Sequence, residues 1–192
     1  RARVVAAVHA PLFHQDKWHN LSVKLISRFL LPYFDGVHLL SGAHRLPLDR
    51  WGVKRVAVIP CGIDLQAFPF HPRGGNKFTV LFVGRLEKQK GADLVLEIIK
   101  QIPKTNFVIA GEGAYQNEFI KVSQDNKNVK YLGFVPHGNL PDIYAKADLL
   151  LFPSRQETSP AVLFEALACG LPVLAAQLPE IKEILGKEGI FV

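Results

Sequence analysis

The sequence predicts an α/β fold made of doubly wound parallel sheets. From residue 77 onward, short strands rich in Val, Ile, Leu and Phe alternate with amphipathic helices. Glycines and charged residues cluster directly after those strands. Ligands of such sheets bind outside the carboxyl ends of the strands, so we expect function to lie in these loops.

Length and composition are those of a globular chain with one or two domains, because 48% of its 192 residues are hydrophobic. Cys61 and Cys169 lack metal-type spacing and are expected to be reduced thiols of a cytoplasmic protein. No signal peptide is evident, and no apolar run approaches the ~20 residues that cross a bilayer. The lack of methionine and the start on a strand suggest a fragment.

The positive charge is concentrated near the start of the chain. Residues 1–76 contain ten Lys and Arg but four Asp and Glu, whereas residues 77–192 contain thirteen of each. This asymmetry favours an anionic partner for the first segment, such as an anionic membrane contacted peripherally at its inner face, a phosphorylated lipid or an acidic glycan. The alternative is that the excess serves only solubility. Nucleic acid is not expected, because basic and aromatic residues are not interleaved.

The first segment predicts strands at residues 3–9, 37–40 and 55–60, with His9 ending the first strand. Residues 21–34 predict a helix with one broad apolar face. The width of that face favours packing on a core, and an interfacial membrane helix is the alternative. A short helix is predicted at residues 46–51. The composition of residues 69–76 indicates a linker between domains at 1–68 and 77–192.

The second segment predicts strands at residues 78–83, 106–110, 129–134, 148–152 and 172–175, helices at 92–102, 114–122, 140–147 and 180–185, and a strand starting at 189. A further helix follows the strand at 148–152. Ser159 is predicted to be its N-cap, Pro160 its first helical residue and Gly170 its C-terminal stop.

Two carboxylates bracket the start of this helix. Glu157 precedes the predicted cap, and Glu165 lies inside an otherwise apolar helix, so Glu165 is expected to face a cleft rather than bulk water. The helix start itself offers free N–H groups and a positive dipole end for an anion or a sugar hydroxyl. The alternative is that each glutamate is a solvated or capping side chain.

The loop at residues 84–91 contains Arg85 and Lys90. The planar guanidinium of an arginine and the compact charge of a lysine together suit the binding of a diphosphate. Gly84 and Gly91 would let the backbone approach a ligand closely. The alternative is that both cations are simply solvated.

Two further loops carry weaker signals. Residues 111–113 read Gly-Glu-Gly but position 116 is Gln, which disfavours a dinucleotide-binding oxidoreductase. The loop at residues 134–138 offers an apolar ledge and backbone groups around Val135 that could flank a nucleobase, although a plain turn is equally consistent.

Together these loops resemble the donor-binding domain of retaining glycosyltransferases of the GT-B fold, family 4. The resemblance covers residues 77–192 closely, and residues 1–76 look like the end of that family's N-terminal domain. It implies two Rossmann-like domains, of which the acceptor-side domain at 1–68 is incomplete. The motifs that carry it are Val83-Gly84-Arg85-Leu86 with Lys90-Gly91, Ala110-Gly111-Glu112-Gly113, Leu132-Gly133-Phe134-Val135, Ala147-Asp148-Leu149 with Pro153-Ser154, and Glu157 followed by Glu165-Ala166-Leu167-Ala168-Cys169-Gly170-Leu171-Pro172-Val173.

The resemblance implies roles for individual residues. Arg85 and Lys90 would neutralise the diphosphate of a nucleotide-sugar, and Glu165 would accept its ribose hydroxyls. Glu157 would position the donor sugar, and Val135 would contact the base through its backbone. His9 would reach toward the transferred sugar, unless it is only a strand-end histidine. The remaining implied donor contacts are Gly84, Gly113, Thr158, Ser159 and Ala161.

The implied reaction transfers a sugar with retention of configuration and without a metal. No D-x-D motif occurs in the chain, so Arg85, Lys90 and the helix start would stabilise the leaving diphosphate. Pro160 stands where relatives often have Gly, which removes a backbone donor, and Cys61 stands where Asn is usual. The alternatives are a non-catalytic nucleotide-sugar-binding module or a GT-B-like epimerase or phosphorylase, and a fragment of this kind could bind its donor without turnover.

Overall fold

The computed structural model describes residues 3–8, 25, 27–70, 72 and 77–192. These residues form two units. The first unit comprises the described part of Arg1–Cys61 together with Glu157–Ser159 and Pro179–Ile184. The second comprises the described part of Gly62–Gln156 together with Pro160–Leu178 and Leu185–Val192.

The first unit contains a parallel sheet of three strands in the order β1-β2-β3. These are β1 (Val5–Val8), β2 (Gly36–Leu39) and β3 (Val56–Val58), with helix α1 (Arg45–Arg50) between the last two. All three predicted strands are confirmed: β1 starts two residues later than predicted, β2 is shifted by one residue, and β3 is three residues shorter. The core consists of side chains from the sheet and its covering segments, namely Leu31, Val37, Leu39, Leu48 and Val53.

The predicted apolar helix of this unit is confirmed only in part. Its described residues, 25 and 27–30, are helical and lead into a 3-10 turn at Leu31–Tyr33. Leu25, Phe29 and Leu30 are exposed by 48%, 64% and 54%, so the expected core packing of this face is wrong for them. The reason is that Leu31, in the following turn, is the residue that packs against the sheet.

The second unit contains six parallel strands in the order β6-β5-β4-β7-β8-β9. Counted within this sheet alone, the order is 3-2-1-4-5-6, the doubly wound arrangement of nucleotide-binding domains. The predicted fold class is therefore confirmed for this unit. The strands are β4 (Thr79–Val83), β5 (Asn106–Ala110), β6 (Val129–Tyr131), β7 (Leu149–Phe152), β8 (Val173–Ala175) and β9 (Ile190–Phe191).

The predicted helices are confirmed within about two residues, except at the C-terminal end of α3, which runs three residues further. They are α2 (Ala92–Gln101), α3 (Gln116–Asp125), α4 (Leu140–Ala145), α5 (Ala161–Ala168) and α6 (Pro179–Leu185). β6 ends before the predicted residue 134 because Gly133 has a φ of +66°. No helix in the part of the chain that the structure describes is long and apolar enough to cross a membrane.

The predicted start of α5 is wrong. The helix begins at Ala161, and Pro160 is its N-cap rather than its first helical residue. Ser159 does not cap it, because the Ser159 hydroxyl accepts a hydrogen bond from the backbone N–H of Cys61 at 3.1 Å. The predicted stop is confirmed. Gly170 has a φ of +71°, and the N–H of Leu171 donates to the carbonyl of Ala166 in a Schellman motif.

Within the first unit, the Glu183 carboxylate caps a 3-10 turn. It accepts hydrogen bonds from the Ser41 hydroxyl at 2.6 Å and from the Gly42 N–H at 2.9 and 3.0 Å. Partial burial raises the pKa of Glu183, but the hydrogen bonds from Ser41, Gly42 and Ala43 outweigh it and hold that pKa below 4.5. The charged carboxylate therefore stabilises the folded state.

We predict that Glu183→Gln lowers the free energy of unfolding by about 1 kcal/mol near neutral pH, because the charged acceptor is lost from a partly exposed site. A depressed folded-state pKa stabilises above the ordinary value of 4.5 and stops doing so as pH falls through the folded value. The difference from the unchanged protein should thus shrink in acid. Urea unfolding at several pH values measures it, with Glu188→Gln in an exposed turn as the control. A pH-independent difference would contradict this account.

Candidate functional site

The carboxyl ends of β4, β5 and β6 surround a pocket of about 310 Å³ in the second unit. Its wall includes Val83, Gly84 and Arg85 after β4, Gly111 and Glu112 after β5, and Phe134 and Val135 after β6. The predicted donor residues Gly84, Arg85 and Val135 are therefore brought together. The pocket lies where doubly wound sheets bind ligands.

The loops after β4 and β5, which both line this pocket, contact each other closely through backbone atoms. Gly111 has a φ of +137°, and a Cβ added there would lie 1.9 Å from the carbonyl oxygen of Gly84. The N–H of Leu86 donates to the carbonyl of Glu112 at 2.8 Å, which joins the same two loops again. A side chain at Gly111 would force the loops apart, so glycine is required at this position.

Arg85 and Lys90 lie in the loop of residues 84–91, which we call the β4 loop. The Arg85 side chain is 60% exposed, and its guanidinium forms an ion pair with Glu87 at 2.7 Å. Lys90 ends a 3-10 turn, Lys88–Lys90, and is half-buried. The sequence does not predict that Glu87 is the partner of Arg85. Among the described residues, no group of three His, Cys, Asp or Glu side chains is placed to hold a metal ion.

Glu165 is nearly buried, with 3% of its surface exposed. One carboxylate oxygen accepts a hydrogen bond from the Tyr144 hydroxyl at 2.7 Å, and the other lies 3.1 Å from Nε2 of His137. Glu165 is thus shielded from bulk water as expected, and the expectation that it faces a cleft stays a prediction. The side chain of His137, its neighbour, is 68% exposed.

Phe68 packs against the two residues that contact Glu165. The Phe68 ring contacts the rings of His137 and Tyr144 edge-on, with centroids 5.1 and 6.0 Å apart. Burial, and then the charge of Glu165, raise the pKa of Tyr144 well above its usual 10, so its hydroxyl remains a donor. No local pattern in the sequence points to this cluster, because its members lie up to 97 positions apart along the chain.

The other predicted residues fall in different parts of the molecule. Glu157, Thr158 and Ser159 belong to the first unit, and Glu157 is 7% exposed. Ala161 belongs to the second unit, where it is exposed at the first position of α5. Gly113 has a φ of +153° in the turn before α3. His9 lies outside the described residues. The roles of these residues therefore stay predictions.

An ion pair that the sequence analysis missed joins the β4 side of the site to β7. Nη1 and Nη2 of Arg155 lie 2.6 and 2.9 Å from the two carboxylate oxygens of Asp93, in a bidentate arrangement. The side chain of Arg155 also donates to the carbonyl of Lys88. Arg155 follows β7, and Asp93 lies in the first turn of α2. No local pattern indicates this pairing, because 62 positions separate the two residues along the chain.

Comparison with known proteins is decisive for the family. Residues 66–191 match the family described as glycosyl transferases group 1. The chain belongs to this family. The phosphatidylinositol N-acetylglucosaminyltransferase gpi3 subunit of Schizosaccharomyces pombe is 33% identical over 141 residues, which cover 69% of this chain and 31% of the relative. The chain thus spans about a third of the length of the curated relatives it matches.

Solved structures of the same fold cover nearly the whole chain. Sucrose-phosphate synthase from Thermosynechococcus elongatus superposes with a TM-score of 0.79 at 23% identity, over 98% of this chain and 54% of that one. Anabaena HepE, in a complex with UDP and glucose, gives a TM-score of 0.78 at 23% identity, over 99% and 57%. The predicted GT-B fold class is confirmed by these neighbours.

We predict that Tyr144→Phe lowers the free energy of unfolding by about 1.5–3 kcal/mol, because it leaves an oxygen of the buried Glu165 carboxylate without its donor. Urea unfolding measures the loss. Tyr33→Phe is the control, since Tyr33 is 89% exposed.

The same variant has a pH signature. Since the folded-state pKa of Tyr144 is raised, its contribution is fully present below pH 10.0 and declines as pH rises above that value. Tyr144→Phe should lose this decline. A variant as stable as the unchanged protein, with the same alkaline profile, would refute the role assigned to the Tyr144 hydroxyl.

Proposed function

We propose that this protein is a retaining glycosyltransferase that moves a sugar from a nucleotide-diphosphate-sugar to an acceptor. The observation that carries the proposal is the pocket at the ends of β4, β5 and β6, which has Arg85 among its lining residues. Membership of the glycosyl transferases group 1 family supports the same reaction.

In the proposed reaction, the negative charge that most needs stabilisation develops on the leaving group. The bond between the anomeric carbon and the diphosphate oxygen breaks, the acceptor oxygen bonds to the same carbon, and the acceptor proton passes to the departing diphosphate. Negative charge grows on that diphosphate, and Arg85 and Lys90 are the proposed counter-charges. Removing one donor of this kind typically costs about 3–4 kcal/mol of transition-state stabilisation.

Glu165 is proposed to bind the ribose of the nucleotide. An ionised carboxylate has about four lone-pair positions. The Tyr144 hydroxyl donates a hydrogen bond to one lone pair of one carboxylate oxygen, and His137 lies within hydrogen-bonding distance of the other oxygen. The remaining positions are those proposed for the two ribose hydroxyls. Tyr144 would hold the carboxylate in place for them.

Metal independence is part of the proposal. Arg85, Lys90 and the N–H groups at the start of α5 are the groups proposed to do the work that a divalent cation does in other transferases. Glu157 is proposed to position the donor sugar, and Val135 to contact the base.

The acceptor is proposed to carry an anionic lipid headgroup. The gpi3 relative is a phosphatidylinositol N-acetylglucosaminyltransferase by name. In this chain the excess positive charge lies in residues 1–76, and Phe29, Leu30 and Tyr33 are exposed apolar side chains of the same segment. Positive charge beside exposed apolar groups is typical of proteins that contact anionic membranes peripherally. We therefore propose a peripheral location at the cytoplasmic face of a membrane.

We predict that one nucleotide class stabilises the full-length protein against heat. The panel contains UDP-N-acetylglucosamine, UDP-glucose, GDP-mannose and ADP-glucose, and a ligand at 100 times its dissociation constant adds about 2.7 kcal/mol. Arg85→Ala should weaken binding about tenfold or more, because it removes a charged hydrogen bond to the diphosphate. Arg45→Ala, which breaks the exposed pair with Asp49, is the matched control.

Transfer or hydrolysis of the bound donor, with and without EDTA, completes this experiment. Turnover that survives EDTA supports a metal-independent transferase. Binding without turnover would indicate a nucleotide-sugar-binding module instead. A protein that responds to none of the four donors would refute the proposed function.

We also predict salt-dependent binding to anionic vesicles. Full-length protein should sediment with vesicles containing phosphatidylinositol at low salt and be released as salt is added, because the attraction is screened. Phe29→Ser should weaken sedimentation, whereas Phe78→Ser, an exposed position in the second unit, should not. Equal sedimentation with neutral and anionic vesicles would rule out the proposed headgroup.

A further inference from the structure

A second pocket adjoins the pocket at the ends of β4, β5 and β6, which we call the donor pocket. Its volume is about 610 Å³. Its lining residues come from β5 and β6, from residues 132–139, which we call the β6 loop, and from α4 with the residues just after it. All of them belong to the second unit. A cavity of this size falls within the range of small-molecule sites, about 300–1,000 Å³.

The alternation of side chains along the strands turns a lysine toward the second pocket. Phe107, Ile109 and Val129 belong to the hydrophobic core on one face of the sheet. Successive side chains of a strand point to opposite faces, so Val108 and Lys130, which pair across β5 and β6, lie on the other face. Lys130 is exposed there, on the strand at the edge of the sheet, and lines the second pocket.

One face of α4 lines the same pocket. The lining residues of this segment follow the spacing i, i+3, i+4 and i+7, which places side chains on one face of a helix. They are Asn139, Asp142, Ile143 and Lys146. Leu140 and Tyr144 lie on another face and are buried. The helix thus contacts Glu165 through Tyr144 and lines the second pocket with a different set of side chains.

The second pocket has a positive charge. Lys130 and Lys146 contribute two positive charges and Asp142 one negative charge, so the net charge of its lining is +1. Among the residues that the structure describes, the ion pairs involve none of these three side chains. Asp142 lies in the first turn of α4, where the helix dipole favours a carboxylate. A ligand with one acidic group would balance the charge that remains.

Most of the lining is apolar. Seven of the eleven lining residues have apolar side chains, and Phe134 among them is 70% exposed. An exposed aromatic ring in an apolar cavity with a few charged groups is typical of sites for ligands that have an apolar body and a polar end. The lining therefore matches a ring system or a short acyl chain that has one carboxylate, phosphate or sulfonate group.

The two pockets share part of the β6 loop, because Phe134 and Val135 line both. This loop is joined to the sheet near its start, where the N–H of Gly111 donates to the carbonyl of Gly133 at 2.8 Å. Residues 136–139, further along, are exposed. A ligand in the second pocket would hold Phe134 and Val135 in place before a nucleotide arrives, which reduces the ordering cost of nucleotide binding.

We propose that the second pocket is an effector site. It binds a small apolar molecule with one acidic group, and the bound molecule strengthens nucleotide binding in the donor pocket. The anion site involves residues of the second unit alone, whereas its effect on the nucleotide rests on the proposed function. By thermodynamic linkage, the nucleotide strengthens effector binding by the same factor.

The test uses two dyes that differ in one group. Anilinonaphthalene sulfonate has an apolar body with an acidic group, and N-phenylnaphthylamine has the same body without it. Both become strongly fluorescent in apolar surroundings, so titration into the full-length protein measures their dissociation constants. The sulfonate should bind about tenfold more tightly than the neutral dye, because two exposed lysine charges act on it together.

Variants assign this difference to the second pocket. Lys130→Ala with Lys146→Ala should weaken the sulfonate about tenfold and leave the neutral dye unchanged. Lys121→Ala with Lys127→Ala is the matched control, because it removes two exposed charges of the second unit that line neither pocket. Ile143→Ala should weaken both dyes about fivefold, since it removes apolar surface that each dye would cover.

Calorimetry measures the coupling between the pockets. Dissociation constants for UDP, GDP and ADP are determined with and without saturating sulfonate. The nucleotide that binds should bind about threefold more tightly with the dye, and the dye about threefold more tightly with the nucleotide. The double variant of Lys130 and Lys146 should keep its nucleotide affinity in the absence of dye and lose this coupling.

Each contrary outcome removes a stated part of the proposal. Competitive displacement of the sulfonate by the nucleotide would place the dye in the donor pocket and overturn the second site. Equal affinities for the two dyes, or equal losses in the two lysine double variants, would also overturn it. An unchanged nucleotide affinity at saturating dye would overturn the effector role and leave the proposed function intact. Binding of the sulfonate through the two lysines, without binding of any of the three nucleotides, would overturn the proposed function and the effector role but support the anion site.

Discussion

The pairing of β4 with β7 is the constraint on which the site depends. Val80 and Leu81 of β4 pair in parallel with Leu149 and Leu150 of β7, although 69 positions separate them along the chain. β4 is the first strand of its sheet and β7 the fourth, so the order reverses at this pair. The segments that follow the two strands leave the same edge side by side. The Gly91–Pro153 contact and the Arg155 ion pair exist only because of that adjacency.

Buried polar groups give the site its rigidity. A carboxylate that is nearly removed from water, as Glu165 is, costs free energy unless its oxygens are hydrogen-bonded. Tyr144 meets that requirement from α4, and Phe68 packs against the rings of Tyr144 and His137. An acceptor fixed in this way loses little further freedom when a ligand binds, which is how preorganised sites gain affinity.

The sequence predicts the fold better than it predicts the contacts within the site. The inner strands β4, β5, β7 and β8 are largely buried on both faces, so they appear as apolar runs in the sequence. Gly170 ends its helix in the left-handed conformation that glycine favours, which the sequence also predicts. The sequence likewise predicts Ser159 as a helix cap. Its hydroxyl instead accepts a hydrogen bond from the N–H of Cys61, so a tertiary contact replaces the local one. The partners of Glu165 and Arg155 are set by topology alone. No periodicity or spacing could have named Tyr144 or Asp93.

The two segments of the chain differ in net charge, so they differ in how far their electrostatic attraction for anions extends. Residues 77–192 contain equal numbers of acidic and basic residues, so this segment has no net charge to attract a diphosphate from a distance. The Arg85–Glu87 pair reduces even the local field. The proposed affinity for a diphosphate would then come from short-range geometry, namely the backbone of the β4 loop and the side chains of Arg85 and Lys90. The excess positive charge of residues 1–76 acts over about a Debye length, ~10 Å, and suits an anionic surface rather than a small ligand.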